Sequence, residues 1–240
     1  MRLTHKPKKS VKQFPYKLGN SILQSTDSHP YLGVTITSDL KWNEHIDNIT
    51  ATANRTLGFI RRNLHSCSQH VKDSAYKTLV RQSLENSSSA WDPHTKILIN
   101  KVESIQKRAA RFVTGDYTSR SPGSMTDMLK KLNWQSLQQR RQCWRVINLQ
   151  KSITGHLSLP IDSLLQPAPR TSRHTNSKAF EIIGTTKNCY KFSYFPRTII
   201  DWNYLPELIV NLTDPESFKT AVKSHDFKKP TKKEQEEEQD

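Results

Sequence analysis

Through the middle of the chain, apolar residues recur at helical spacing. Ile46, Ile49, Ala53, Leu57, Ile60 and Leu64 fall three or four positions apart after Trp42, which predicts one helix with a single apolar stripe. Gly58 lies inside that stripe and weakens the helix by about 1 kcal/mol relative to Ala. A second helix is expected from Ser68 past Val71, Ala75, Leu79 and Val80 to Glu85. The third follows Asp92-Pro93 and carries Leu98, Val102, Ile105, Ala109 and Phe112 as a seam that Gly115 ends. Ser124, with Asp127 three residues on, reads as a capping signal ahead of Met128 and Leu129. A longer helix over 137–153 completes a five-segment bundle spanning 39–154.

The flanks have a different texture. Tyr16-Lys-Leu and Ser21-Ile-Leu-Gln surround Gly19-Asn20, a hairpin signal. Tyr31-Leu-Gly-Val-Thr-Ile36 is rich in β-branched and aromatic residues. Residues 1–38 are therefore expected to form a small, three-stranded antiparallel piece, too slight to stand alone. Residues 155–225 read as irregular, with β-like runs at Phe180–Ile183 and Tyr190–Phe195. Short helices are expected near Pro196–Trp202 and Pro215–Val222, each with Pro in its first turn. The stretch 226–240 is a Lys-then-Glu tail expected to be disordered. The predicted class is mainly α with a small N-terminal β piece.

Charge narrows the candidate partners. Among 240 residues, 37 Lys and Arg face 22 Asp and Glu, a net charge of +15. The tail carries six of the acids and four of the lysines, so the body stands at +17. Arg2, Lys6, Lys8, Lys9, Lys12 and Lys17 all precede the first acid, Asp27. Such a field attracts nucleic acid or an anionic membrane surface. No segment approaches the roughly 20 apolar residues of a membrane span, and no apolar run follows the basic N-terminus as in a signal peptide. Three scattered cysteines make no disulfide framework. These features predict an intracellular protein, cytoplasmic or nuclear.

Enzymatic chemistry finds no foothold in the sequence. Two-metal catalysis needs clustered carboxylates, whereas the chain has no Asp-Asp pair and only 7 Gly, with no phosphate-binding glycine loop. His65, Cys67 and His70 are the one metal-like group and lack a fourth ligand at finger spacing. The expectation is no catalytic residue, no metal and no cofactor. Four Asn-x-Ser/Thr sequons, at Asn48, Asn54, Asn86 and Asn211, read as chance occurrences.

Basic residues instead gather beside the apolar seams. Arg61 and Arg62 end the first helix. On the third, Lys101, Ser104, Arg108 and Arg111 run three, four and three apart, with Lys107 close by. Arg140, Arg141 and Arg145, with Trp144, lie on the fifth. Guanidinium groups pair phosphates bidentately, and an adjacent aromatic can stack on a base. The competing reading makes the arginines a solvated helix face and Trp144 part of the core.

A series of motifs then points to a family. Tyr31-Leu-Gly-Val-Thr-Ile36 and Leu40-Lys-Trp-Asn-Glu-His-Ile46 are followed by Leu57-Gly-Phe-Ile-Arg-Arg-Asn-Leu64, Ala75-Tyr-Lys-Thr-Leu-Val-Arg81 and Trp91-Asp-Pro93. Gln106-Lys-Arg-Ala-Ala-Arg-Phe112, Trp134-Gln-Ser-Leu-Gln-Gln-Arg-Arg141, Tyr190-Lys-Phe-Ser-Tyr-Phe-Pro-Arg197 and Trp202-Asn-Tyr-Leu-Pro206 continue the order. Together they resemble the part of jockey-like non-LTR retrotransposon reverse transcriptases that follows the catalytic palm. That resemblance implies a polymerase thumb for the helices from Trp42 and a primer grip for Tyr31, Leu32 and Gly33. It implies, too, palm, fingers and endonuclease domains in the parent protein, with the catalytic Asp pair lying before this chain. The expected function is that of a truncated RNA-directed DNA polymerase fragment, not an enzyme by itself, with residual affinity for RNA or an RNA–DNA duplex. The alternative is a domesticated helical module that binds other proteins.

Overall fold

The computed structural model describes residues 14–158, 161, 163–169 and 175–227. It is mainly helical, with two small antiparallel strand pairs near the N-terminus. The chain divides into two compact units, Met1–Trp134 and Gln135–Asp240. The long helix over 137–153, which the sequence places in the bundle, belongs to the second unit. The basic run Arg2–Lys12 and the charged tail from Lys228 lie outside the described residues.

Unit one opens with β1 (Lys17–Leu18) and β2 (Ser21–Ile22), paired around Gly19 at φ +59°. A second hairpin pairs β3 (Ser28–Tyr31) with β4 (Val34–Thr37). The expected three-stranded piece is thus two separate two-stranded hairpins. Tyr31–Ile36, read as one strand, reverses direction at Leu32 and Gly33, whose φ values are 47° and 82°. Two consecutive left-handed residues make the turn that matches strand twist, and nothing in Tyr-Leu-Gly-Val announces a leucine in that conformation. The Ser28 hydroxyl donates to Glu44 at 3.0 Å, the Thr35 N–H to His45 Nδ1 at 3.2 Å, and the Asn48 amide to Thr35 Oγ1 at 3.2 Å. These bonds fix the hairpin to the first turns of the helix that follows.

That helix, α1 (Asn43–Asn63), buries Ile46, Ala53, Leu57 and Ile60 of the expected stripe, with Thr50 buried beside them and Ile49 and Leu64 only half-buried. The next segment is composite: α2 (Gln69–Ala75), a wide π turn (Tyr76–Val80) and α3 (Arg81–Glu85). The extra residue in a π turn re-aims the helix. As a result Tyr76, Val80 and Leu84, each four apart, are fully buried, whereas Leu79 of the expected stripe is 53 % exposed. Helix α4 (Lys96–Thr114) buries Val102, Ile105, Ala109, Ala110, Phe112 and Val113, and ends on Gly115 at φ +73°. An ion pair between Lys101 and Asp47 joins the beginnings of α4 and α1. Near their other ends, Phe112 and Gly115 share a cleft with Gly58, Arg61 and Arg62, so α1 and α4 run in the same direction.

Polar contacts lock the three-helix core. The Tyr76 hydroxyl donates to Gln106 Oε1 at 3.0 Å, and Trp134 stacks on Tyr76 with ring centroids 4.3 Å apart. The Trp134 indole donates to Asp73 at 2.9 Å. Helix α5 (Ser124–Lys131) buries Met128. Gly123, at φ +88°, occupies its cap position, and the Ser124 hydroxyl donates to Ser119 O. The Ser124–Asp127 capping box is therefore not formed, because the helix starts one residue earlier than that motif requires.

Unit two is built on α6 (Leu137–Ile153), whose first turn is capped by Ser136 accepting the Gln139 N–H at 3.1 Å. Cys143, Val146, Ile147 and Leu149 of α6 form one core with Ile199, Trp202, Phe218 and Val222. The last four come from α8 (Tyr194–Asn203) and α10 (Pro215–Ser224). Short helices α7 (Asn188–Lys191) and α9 (Glu207–Val210) flank α8. The run Tyr190–Phe195, expected as strand, is divided between the end of α7, a turn at Phe192 and Ser193, and the start of α8, where the Tyr194 hydroxyl donates to Arg145 O at 3.0 Å and Phe195 packs on the core. Of the run Phe180–Ile183, only Phe180 pairs, bridging to Pro167. The Asn203 side-chain amide binds both backbone groups of Phe180, at 2.9 and 2.7 Å, and so stands in for a neighbouring strand. Asp214 caps α10 by accepting the Ser217 N–H at 2.7 Å, with Pro215 at the first position as expected. Phe227, within the expected tail, packs against the core. Among the described residues, no helix is long and apolar enough to cross a membrane.

Candidate nucleic-acid interface

Three elements of unit one meet at a cleft of about 650 Å³. The last turns of α1 supply Gly58, Arg61 and Arg62, with His65 just beyond; α2 supplies Lys72; α4 supplies Phe112, followed by Gly115 and Tyr117. Three permanent cations, an imidazole and two aromatic rings thus line one concavity, with no carboxylate among them. The Arg61 guanidinium lies 5.7 Å from the Tyr117 ring centroid, and the Lys72 ammonium 5.4 Å from that of Phe112. Phe112 is buried and forms the floor, while Tyr117 is 46 % exposed at the mouth. The nearby Asp116 carboxylate is committed to its own loop. It accepts the N–H groups of Thr118 and Ser119, at 3.1 and 2.9 Å. Hydrogen bonds from Ser119, then Thr118, pull it down to about 2, so it stays ionised at any physiological pH.

Gly58 gains a reason here. A Cβ at this position would sit 3.5 Å from Arg62 Nη1 and extend into the cleft. Glycine here costs the helix about 1 kcal/mol relative to Ala and leaves this part of the cleft wall without a side chain.

The other basic residues are placed unevenly. Lys107 and Arg108 are exposed on α4, with the Arg108 guanidinium resting on Ser104 O and Oγ, each at 3.3 Å. Lys101 is engaged with Asp47, and half-buried Arg111 donates to Ser119 O at 3.2 Å. In unit two, Arg140 is half-buried, and Arg141 and Arg145 are buried at 0 % and 3 % exposure. Arg145 pairs with Asp201 at 2.8 Å, and Gln142 donates to the same carboxylate at 2.9 Å. Burial first, then the Arg197 charge, lower Arg145 to about 10, opposed by Asp201. Arg145 is therefore an internal tie between α6 and α8, and, against the arginine face expected on α6, neither Arg141 nor Arg145 presents its side chain to solvent. Trp144 is half-buried against the unit-two core.

Tyr31, Leu32 and Gly33 form the tip of the β3–β4 hairpin, with Leu32 79 % exposed. A leucine at φ 47° costs roughly 1–2 kcal/mol. The hairpin is held by His45, whose ring is buried against Trp91 at a centroid distance of 4.8 Å. Because Nδ1 accepts from Thr35, the ring proton sits on Nε2, which finds no hydrogen-bond partner among the described residues. Burial lowers this histidine to about 4, so it is neutral in the folded protein.

His65, Lys72, Phe112 and Tyr117 were not legible as site residues. They come from the α1–α2 turn, α2, α4 and the loop after α4, and no local spacing links them. His65 and His70 do not converge either: His70 lines a separate hollow with Gln69, Asp73, Lys131 and Leu132. Among the described residues, no group of three or more His, Cys, Asp or Glu could hold a metal ion. Cys143 is buried, which pushes its thiol up to about 11 and removes it as a nucleophile. Comparison with family models, with curated proteins and with solved structures gave no match to this chain.

Proposed function

We propose that this chain binds nucleic acid as a thumb-like fragment of a jockey-like reverse transcriptase, in an intracellular setting. The observation that carries this reading is the carboxylate-free basic cleft of Arg61, Arg62 and Lys72, continued by exposed Lys107 and Arg108 on α4. Contacts of this kind go to phosphates, so they position a strand without reading its sequence. An RNA–DNA duplex is the expected ligand. Polymerisation in this reading belongs to the palm of the parent protein, and the chain alone does not extend a primer.

Five cations engaging duplex phosphates give a fall of log K with log salt at a slope of about −4 to −5. Fluorescence anisotropy of a labelled RNA–DNA hybrid across a salt series measures it. No binding at low salt, or a constant indifferent to salt, overturns the proposal.

One observation favours a protein partner as well. Phe14, Tyr16, Leu18, Ile22, Leu23, Tyr31 and Leu32 are all exposed along the N-terminal hairpins, more apolar surface in one short stretch than isolated exposed residues explain. In the fragment reading this surface faces the palm and fingers. In the alternative it is the docking face of a domesticated interaction module. Replacing Lys107 and Arg108 with Glu tests the first, by loss of hybrid binding at unchanged Tm, and a wild-type chain that binds no hybrid at low salt supports the second.

A further inference from the structure

We infer that the cleft between the ends of α1 and α4 seats an unpaired nucleotide of an RNA or DNA strand, its phosphate among Arg61, Arg62 and Lys72 and its base against Tyr117. The inference rests on the nucleic-acid reading above and divides that surface into an outer part that duplex phosphates reach and a hollow that only an unpaired nucleotide enters.

The division follows from shape. A duplex presents a convex double backbone and is met by cations that project from a face, as Lys107 and Arg108 do on α4. Arg61, Arg62 and Lys72 instead surround a concavity of about 650 Å³, within the range of pockets that enclose small ligands. A duplex reaches the exposed Arg61 and Arg62 only with its backbone phosphates, whereas a flexible single strand can lower a nucleotide into the hollow.

The aromatic group makes the same distinction. Bases inside a duplex are stacked on each other, so only an unpaired base offers its face to a protein ring. Tyr117 stands at the mouth, half exposed, with the Arg61 guanidinium 5.7 Å from its centroid. This places the cation for the phosphate over one face of the ring, so the base takes the opposite face. Lys72, held over the buried Phe112 ring, adds a second charge from the opposite wall. Gly58 and Gly115 leave the intervening walls without side chains; a Cβ at Gly115 would meet nothing within 4 Å.

The test uses the full chain and three labelled probes in anisotropy: a blunt RNA–DNA hybrid, the same hybrid with a short single-stranded overhang, and that overhang made abasic. The overhang should bind roughly tenfold tighter than the blunt hybrid, in keeping with one stacked base, and the abasic overhang should lose most of that gain. Gly58→Gln, which fills the cleft with a good helix former and removes no charge, and Tyr117→Ala, in a surface loop, should each abolish the overhang preference. Both should leave blunt-hybrid affinity within about twofold. The double replacement of Lys107 and Arg108 by Glu should weaken all three probes alike and keep their ratio.

No preference for the overhang in the wild-type chain overturns the inference and leaves the nucleic-acid reading standing. Equal binding of abasic and natural overhangs overturns it too, as does an equal loss on blunt and overhang probes in both cleft variants. Displacement of the overhang probe by a polyglutamate peptide as readily as by single-stranded RNA would mean an acidic peptide site instead. Failure of every probe to bind at low salt removes the nucleic-acid reading itself.

Discussion

Lowering the pH should loosen the N-terminal hairpin from the helical bundle, with His45 as the responsible group. The ring is 2 % exposed, accepts the Thr35 N–H at 3.2 Å, and lies between the Trp42 and Trp91 rings with centroids at 6.3 and 4.8 Å. Protonation would place a second hydrogen on Nδ1, opposite the Thr35 N–H, and break that bond inside an apolar site. Burial holds the folded value at about 4, against an ordinary 6.5. The unfolded chain therefore takes up a proton below about pH 6.5 that the folded chain refuses until about pH 4. This contribution to stability is fully present above pH 6.5 and is lost as the pH falls toward 4. The gap between the two values is worth about 3 kcal/mol. Urea unfolding of the wild type and of His45→Gln, followed from about pH 7 to about pH 4, isolates the effect. Asp39, Glu207, Asp214 and His225, whose values are also lowered, contribute equally to both proteins and cancel in the difference. The wild-type advantage should shrink by about 3 kcal/mol over that range, and the His45 ring resonances should titrate near pH 4. Parallel stability curves would refute the argument.

Three further outcomes are expected. Asp201→Ala should cost about 3–5 kcal/mol in unfolding free energy, because it removes the carboxylate paired with the buried Arg145 guanidinium; a loss under about 1 kcal/mol would mean that the pair is not what ties α6 to α8. Leu32→Asn should raise stability by about 1 kcal/mol in the same urea assay, since Asn tolerates the left-handed backbone that Leu occupies under strain, and no gain would remove the strain argument. Cys143 should resist a thiol reagent in the folded chain while half-exposed Cys67 reacts, which mass spectrometry of the labelled protein can read.

Helix limits were legible where the signals are local. The stripe from Ile46 to Ile60, the seam from Val102 to Phe112 with its terminal Gly115, and the span Leu137–Ile153 all lie where periodicity and turn residues put them. The π turn at Tyr76–Val80 was not, because one inserted residue shifts the buried face without altering composition. Tyr190–Phe195 read as strand because aromatics score as β-formers, and only their tertiary partners, such as Arg145 O for Tyr194, decide the helix. The same limit applied to charge. Arg141 and Arg145 look no different in sequence from Arg61 and Arg62, yet both are buried, and Arg145 is held by the carboxylate of Asp201, 56 residues further on. The cleft draws on α1, the turn after it, α2, α4 and the loop that follows, and of its lining the sequence marked only Arg61 and Arg62 as phosphate ligands.

The common direction of α1 and α4 has an electrostatic consequence. Their carboxyl ends arrive side by side at the cleft, each carrying roughly half a negative charge from its aligned peptide dipoles. Two such ends repel, and Arg61, Arg62 and Lys72 offset that repulsion before any ligand arrives. Any anion entering the cleft would compete with backbone carbonyls for the same cations, which moderates the affinity that three positive charges would otherwise give. It also means that neutralising the three cations together should lower the stability of unit one along with its affinity.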